Sequence, residues 1–141
     1  MSLQPIRAVI EQPLITAFNN AGLPLYLNNM TVANTDVVKE YADLFLSFDQ
    51  FTESALQCNY GRVTGIIVLG IFTELNRGPK RSQDLSIIGM KALNDINSCG
   101  GKPKTGAYAT LRNFTGPTFS ELTDMPYYYA RIEANFHAAY N

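Results

Sequence analysis

The sequence predicts a single α+β domain over residues 1–141: a mainly antiparallel sheet with two helices packed on one of its faces, in the order helix, strands, helix, strands. Three observations carry this. The last segment, Tyr127 to Tyr140, alternates almost without error. Tyr128, Ala130, Ile132, Ala134, Phe136 and Ala138 point one way, and Tyr129, Arg131, Glu133, Asn135 and His137 point the other. Successive side chains of a strand project to opposite faces, so this is a long strand with one core face and one polar face. Two other segments space their apolar residues at three and four, the period of an amphipathic helix. The length of 141 residues is near the commonest domain size. A chain of that length buries roughly 68–70% of its unfolded surface and needs neither disulfide nor metal to fold.

The elements follow in order. Gln4 to Asn20 reads as a helix, with Ile6, Val9, Ile10, Leu14, Ala17 and Phe18 as its apolar stripe. Pro5 suits the first turn, but Pro13 removes a backbone bond and clashes with the preceding turn, at about 3 kcal/mol. The helix is therefore expected to kink at Pro13 or to begin afresh near Gln12. Asn19, Asn20 and Gly22 end it. Leu23 to Leu27 is a short strand, and Asn28 to Asp36 a polar loop. Tyr41 to Gln50 alternates, with Leu44, Leu46 and Phe48 on one face and Asp43, Phe45, Ser47 and Asp49 on the other. The polar run Asp49 to Ser54 is expected to hold a turn or a bulge.

Gln57 to Glu74 is the central strand. Val63, Ile67, Leu69 and Ile71 form one face, and Ile66, Val68 and Phe72 make the other apolar too. A strand apolar on both sides is expected to be covered on both sides, by the helices and by a second sheet or another subunit. A basic loop with Arg77, Lys80 and Arg81 precedes the second helix. Ser82 is the expected N-cap, with Asp84 in the first turn. Leu85, Ile88, Gly89, Ala92, Leu93 and Ile96 form its stripe, and the small Gly89 and Ala92 let it lie close on the sheet. Gly100 and Gly101 stop it. Ala107 to Thr115 and Pro117 to Thr123 read as two short strands around a turn at Asn113 to Pro117.

Chemistry is sparse in this chain. Its single histidine, His137, lies on the polar face of the last strand, four residues beyond Glu133. An imidazole–carboxylate contact is one expectation, and a surface or interface histidine the other. The carboxylates show no metal or glycosidase spacing. Gly78-Pro-Lys-Arg-Ser82 precedes a helix N-terminus, where an anion can bind, but lacks the glycine pattern of a nucleotide loop. Tyr127, Tyr128 and Tyr129 suit core or interface packing better than stacking on bases. Cys58 and Cys99 form no Cys-x-x-Cys pair and read as small apolar residues in a reducing compartment. No cofactor, metal or catalytic residue is expected, and the chain is not expected to be an enzyme. No apolar run reaches membrane-spanning length, and no secretory signal pattern opens the chain. The net charge of −1 gives no global basic bias for gripping nucleic acid. The charged content of 16%, against a typical ~25%, favours a surface partly covered by partners.

Three places resemble one family. Leu23-Pro-Leu-Tyr-Leu-Asn28 looks like its short strand after the first helix, ending in an Asn. Tyr60-Gly-Arg-Val-Thr-Gly-Ile-Ile-Val68 is similar to its arginine–glycine segment running into a long apolar strand. It is followed, as in the family, by a glycine-containing loop and a helix, here Ser82 to Ile96. Tyr127-Tyr-Tyr-Ala-Arg-Ile132 resembles its closing strand. The family is the bacteriophage tail terminators, the minor tail protein U-like group. Pro13 and the two-glycine lysine loop at Gly100 to Lys104 depart from its pattern.

The resemblance implies a structural virion protein without catalysis. Such proteins form a six-membered ring on the end of the tail tube, stop tube polymerisation and present the surface to which the head attaches. The implied partners are further copies of the chain, the tail tube protein and head–tail connector or neck proteins. DNA passes through the ring without sequence-specific contact. The implied location is the virion tail, assembled in the bacterial host cytoplasm. Strand pattern and loop placement nominate Arg62, Arg77, Lys80, Arg81, Tyr129, Arg131 and Glu133 as interface residues. A neck or head–tail joining protein is the alternative within phages. A small ligand-binding or adaptor domain is the alternative outside them, and a pocket gathering His137, Glu133 and Arg131 would favour it.

Overall fold

A computed structural model describes residues 4–28, 40–53, 61–74, 79–98, 107–121 and 127–140. The elements are α1 (Gln4–Asn20), β1 (Leu25–Tyr26), β2 (Tyr41–Glu53), β3 (Gly61–Glu74), α2 (Lys80–Ser98), β4 (Ala107–Glu121) and β5 (Tyr127–Tyr140). They form the predicted α+β arrangement, in the predicted order. The strands make one five-stranded sheet in the order β1-β2-β3-β5-β4. β1 runs parallel to β2, and every other pairing is antiparallel.

The alternation in β5 sets the core. Ala130, Ile132, Ala134, Phe136 and Ala138 are all buried, facing the same way as Val63, Ile67, Leu69 and Ile71 of β3. Both helices cover this inner face and pack on each other. α1 presents Ile6, Ile10, Leu14 and Phe18, each four residues from the last and each fully buried. Pro13 does not split α1, which runs continuously through it. The proline costs one backbone bond, but the buried Ile10 and Leu14 on either side hold the turn. The helix ends as its Asn-Asn-Ala-Gly run predicts. Gly22 takes φ 73°, Gly22 N–H donates to Asn19 O at 3.1 Å and Leu23 N–H to Phe18 O at 2.9 Å. That is a Schellman cap, with Leu23 packing beside Phe18 in the core.

α2 lies close on the sheet because Gly89 carries no side chain: a Cβ there would come within 2.7 Å of Leu69 Cδ2. Ser82 is not its N-cap. The helix begins at Lys80, and Pro79 O accepts the first bond, from Gln83 N–H at 2.9 Å. The fixed φ of Pro79 favours that earlier start, so Ser82 falls inside the first turn and Asp84 beyond it. Ser82 is fully buried, and its Oγ has no hydrogen-bond partner among the described residues.

One other expectation changes. The turn expected at Asn113 to Pro117 is absorbed into one strand. Asn113 (φ 56°) and Gly116 (φ 99°) take positive φ, and register shifts on either side of Thr115 let β4 keep pairing with β5 beyond them. Local turn chemistry there makes bulges, not a reversal. The expected bulge after Phe48 is present, between Phe48 and Gln50. Among the described residues the helices cover one side of β3 and nothing covers the other. Its outer face carries Phe72, nearly buried, Val68, half-buried, and Ile66, 37% exposed. No second sheet lies over it among the described residues.

Candidate functional site

The outer face of the sheet gathers most of the polar and aromatic groups that the core does not use. At one end lies an aromatic row across four strands. Tyr41 of β2 stacks on Phe72 of β3 with centroids 4.4 Å apart, and Phe72 meets Tyr129 of β5 at 4.8 Å. Both pairs face each other directly in the register. Tyr26 of β1 abuts Tyr41 edge-on at 5.7 Å, and Tyr127 closes the cluster against Tyr41 and Phe72. The tyrosine run of β5 is thus packing: Tyr127 and Tyr129 on the outer face, Tyr128 stacked on Phe119.

Gly70 makes room for what sits next to this row. A Cβ on Gly70 would collide with the Asp43 carboxylate and come within 2.9 Å of the Tyr129 ring. Both side chains lean over the bare glycine from the neighbouring strands. Burial raises the Asp43 pKa above its ordinary value of 3.8, and a hydrogen bond from the Gly70 backbone partly offsets this. Burial also raises Tyr129, with the Asp43 charge adding to the rise and Arg131 opposing it. Tyr41 is pushed up to about 12, mainly by burial, with its acidic neighbours adding to it.

Arg131 forms an ion pair with Glu133, two residues along the same face. Across β3 and β2 lie the exposed apolar groups of the face, Ile66 and Phe45, the latter 53% exposed. Val68 faces Phe45 across the strands and links the two. Further along β5, His137 lies between Thr64 and Thr110, and Asn135 between Ile66 and Arg112. These line an open depression of about 430 Å³, with Asp49 of the β2 bulge at its rim.

The nominated residues separate into two groups. Tyr129, Arg131 and Glu133 lie together on the outer face. Arg62 shares that face but is paired with Ala139, at the far end of β3 from the aromatic row. Eight residues separate it from Gly70, the partner of Arg131, so roughly 26 Å lie between them. Lys80 and Arg81 lie at the start of α2, both exposed, with Arg81 Nε donating to Glu40 Oε1 at 3.3 Å. Arg77, the polar loop beyond Asn28, Cys58 and Cys99 are outside the described residues. His137 and Glu133 do not meet. Four residues of extended strand hold them roughly 13 Å apart, and Glu133 turns to Arg131 instead. The depression around His137 therefore gathers neither Glu133 nor Arg131.

Sequence reading missed Asp43, Tyr41, Phe72 and Gly70 as a group. The alternation of β2 does place Asp43 and Phe45 on one face. What buries Asp43, however, is a glycine 27 positions later and a tyrosine on a third strand, which only the strand order reveals.

Asparagine amides cap one position on each side of the sheet, on β2 beyond the end of β1 and on the edge strand β4. Asn28 Nδ2 donates to Leu46 O at 3.0 Å, and its Oδ1 accepts from Leu46 N–H at 2.9 Å. Asn97, near the end of α2, does the same to Leu111 of β4, at 2.9 and 2.6 Å. Each amide fills one donor–acceptor position that an added strand would use.

Among the described residues no three His, Cys, Asp or Glu side chains cluster as a metal site, and no helix is long and apolar enough to cross a membrane. No protein-family model matches the chain, and no curated protein matches it in sequence. A solved structure whose name describes no function superposes with a TM-score of 0.65 at 12% identity, over 98% of this chain and 96% of that one. That likeness is one of fold: the whole arrangement of helices and sheet recurs in a solved protein of nearly equal length.

Proposed function

We propose that this chain is a structural subunit of a phage tail. It caps the tail tube as a ring, ends tube polymerisation and provides the surface for head attachment. The observation that carries the reading is the outer face of the sheet, which no other described element covers. A solitary domain with a sheet this size usually shields such a face or coats it with charge. Here Phe45 and Ile66 stand exposed on the same face as the Arg131–Glu133 pair and the half-buried Asp43 carboxylate. A closed ring buries two surfaces of every subunit, which suits a chain with few charges. The likeness of Leu23 to Asn28, Tyr60 to Val68 and Tyr127 to Ile132 to tail terminators supplies the identity of the assembly.

The partners in this reading are further copies of the chain, probed first by native mass spectrometry over a range of concentrations. A closed hexamer growing in with concentration is the expected result. A second measurement covers rings that form only on a template: addition of the chain to polymerising tail tube protein should shorten the tubes. Monomers throughout, together with tubes of unchanged length, would refute the proposal. Assembly on isolated neck or connector proteins with no effect on tubes would move the chain to a head–tail joining role.

A further inference from the structure

The depression on the outer face holds a set of hydrogen-bond donors with no acceptor among the described residues. The sheet register arranges them as a grid. Thr64, His137 and Thr110 form one row across β3, β5 and β4, and Ile66, Asn135 and Arg112 form the next. Neighbours within a row stand about 4.5–5.5 Å apart, and the rows about 7 Å apart. Two hydroxyls, an imidazole, an amide and a guanidinium thus converge on one concavity. None of these five side chains has a hydrogen bond or ion pair with another described residue. Elsewhere on the same face the polar groups are taken: Arg131 by Glu133, and Asp43 by the Gly70 backbone. The two threonines are half-buried and form the floor, while Arg112, Asn135 and His137 are exposed and form the walls.

We propose that this depression binds a small tetrahedral oxyanion of the phosphate type, held by Arg112, His137 and Asn135 over the hydroxyls of Thr64 and Thr110. A guanidinium fork and several neutral donors around one concavity match an anion with acceptors on every side. A carboxylate offers acceptors in one plane only and uses fewer of the five. Asp49, exposed at the rim on the β2 bulge, is the one acidic group in the lining and opposes the anion. It makes the site selective for position as well as charge, because an anion seated near Asp49 is repelled toward Arg112. The site needs only the single chain, but it shares Ile66 with the exposed apolar group, so the titration is read at concentrations where the chain is monomeric.

The test is a titration of the full chain with inorganic phosphate at constant ionic strength, held with chloride and followed by amide chemical shifts. Saturable shifts centred on Thr64, Thr110, Asn135 and His137 are expected. Arg112→Gln should weaken binding roughly fivefold to tenfold, the loss of a charge-assisted bond at an exposed site. Asp49→Asn should strengthen it by a few fold. These opposite signs separate a specific site from loss of fold, which would weaken both, and retained amide dispersion in each variant confirms the fold. Lys91→Gln, exposed on α2 in the helix layer across the sheet, is the control and should change nothing. Shifts that rise linearly without saturating, or an Asp49→Asn variant no tighter than the parent, would overturn the proposal.

Discussion

Gly65 and Gly70 occupy the same strand five residues apart, and they face opposite sides of the sheet. Gly65 lies inside, where a Cβ would strike the Ser47 backbone carbonyl and come within 2.6 Å of the Phe136 ring. Phe136 is itself braced edge-on by Phe48 at 5.6 Å. A strand backbone and a wedged aromatic cannot yield cheaply, so Gly65→Ala should destabilise by about 1–3 kcal/mol or more. Gly70→Ala meets side-chain ends on an open face, which can swing aside, and should cost less. Urea midpoints of the two variants check the order, and a Gly70→Ala cost equal to that of Gly65→Ala would contradict it. The Asp43 carboxylate gives a second residue-scale expectation. Its folded pKa is raised above the unfolded value, so the folded state holds the proton more tightly. Stability from that proton is fully present below the unfolded pKa, near 3.8, and is lost as pH rises through the folded value. Asp43→Asn keeps an acceptor for the Gly70 backbone and removes the charge. The variant should lose that fall in stability on the alkaline side of pH 3.8 and be the more stable chain at neutral pH. A pH series of urea midpoints with the same slope in both proteins would show that Asp43 is not penalised by burial. In the sequence, glycines in this apolar run indicate a bulge or a close backbone approach, which Gly65 makes to the Ser47 carbonyl, but not which atom approaches, and nothing there marks Asp43.

Among the elements, the strands and helices read well wherever one face alone decides their pattern. β5 and α1 are of this kind: an alternation of period two, and a stripe at every fourth residue. Elements failed to read where a local signal competes with long-range pairing. Asn113 and Gly116 carry turn chemistry, yet β5 continues beside them and holds β4 in the sheet through two register shifts. The edge closures were invisible for the same reason. Asn28 looks like the first residue of a loop and Asn97 like the fraying end of a helix, while their partners lie 18 and 14 residues away. Each joins an element to a strand that it does not follow in the ladder. Asn97→Ala should therefore release Leu111 N–H and C=O together and cost about 1–2 kcal/mol, the usual range for lost bonds that water can partly replace. Asn97→Asp keeps the acceptor for Leu111 N–H and should fall between. Hydrogen exchange at the Leu111 amide reads this directly: faster in the alanine variant, closer to the parent in the aspartate variant. Unchanged exchange in Asn97→Ala would mean that the amide does not protect the edge.

At the scale of the molecule, the two-layer design leaves one question of economy, namely what the open layer is for. The sequence places the helices over one face of the sheet, but the apolar outer residues of β3 suggest a cover that the described residues do not supply. Among the described residues, the large apolar side chains left exposed are Phe45 and Ile66 on the outer sheet face and Ile87 on the far side of α2. Phe45 and Ile87 are almost equally exposed, 53% and 54%. They differ in their surroundings. Phe45 is continuous with Val68 and Ile66, whereas Ile87 stands alone among the exposed Gln83, Asp84 and Lys91. An isolated exposed isoleucine is ordinary, and a contiguous apolar group on a sheet face is an interaction surface. Phe45→Glu would also set a new carboxylate beside Asp43 and Glu133, so any partner packed there meets both lost contact and added charge. If the ring is built on the sheet face, Phe45→Glu should weaken self-association by about tenfold or more, the scale of an aromatic anchor. Ile87→Glu, with the same change in charge and exposure, should leave it unchanged. Sedimentation equilibrium of the parent and both variants compares them under one set of conditions. Equal loss in the two variants would point to net charge, and loss in Ile87→Glu alone would move the interface to the helix layer.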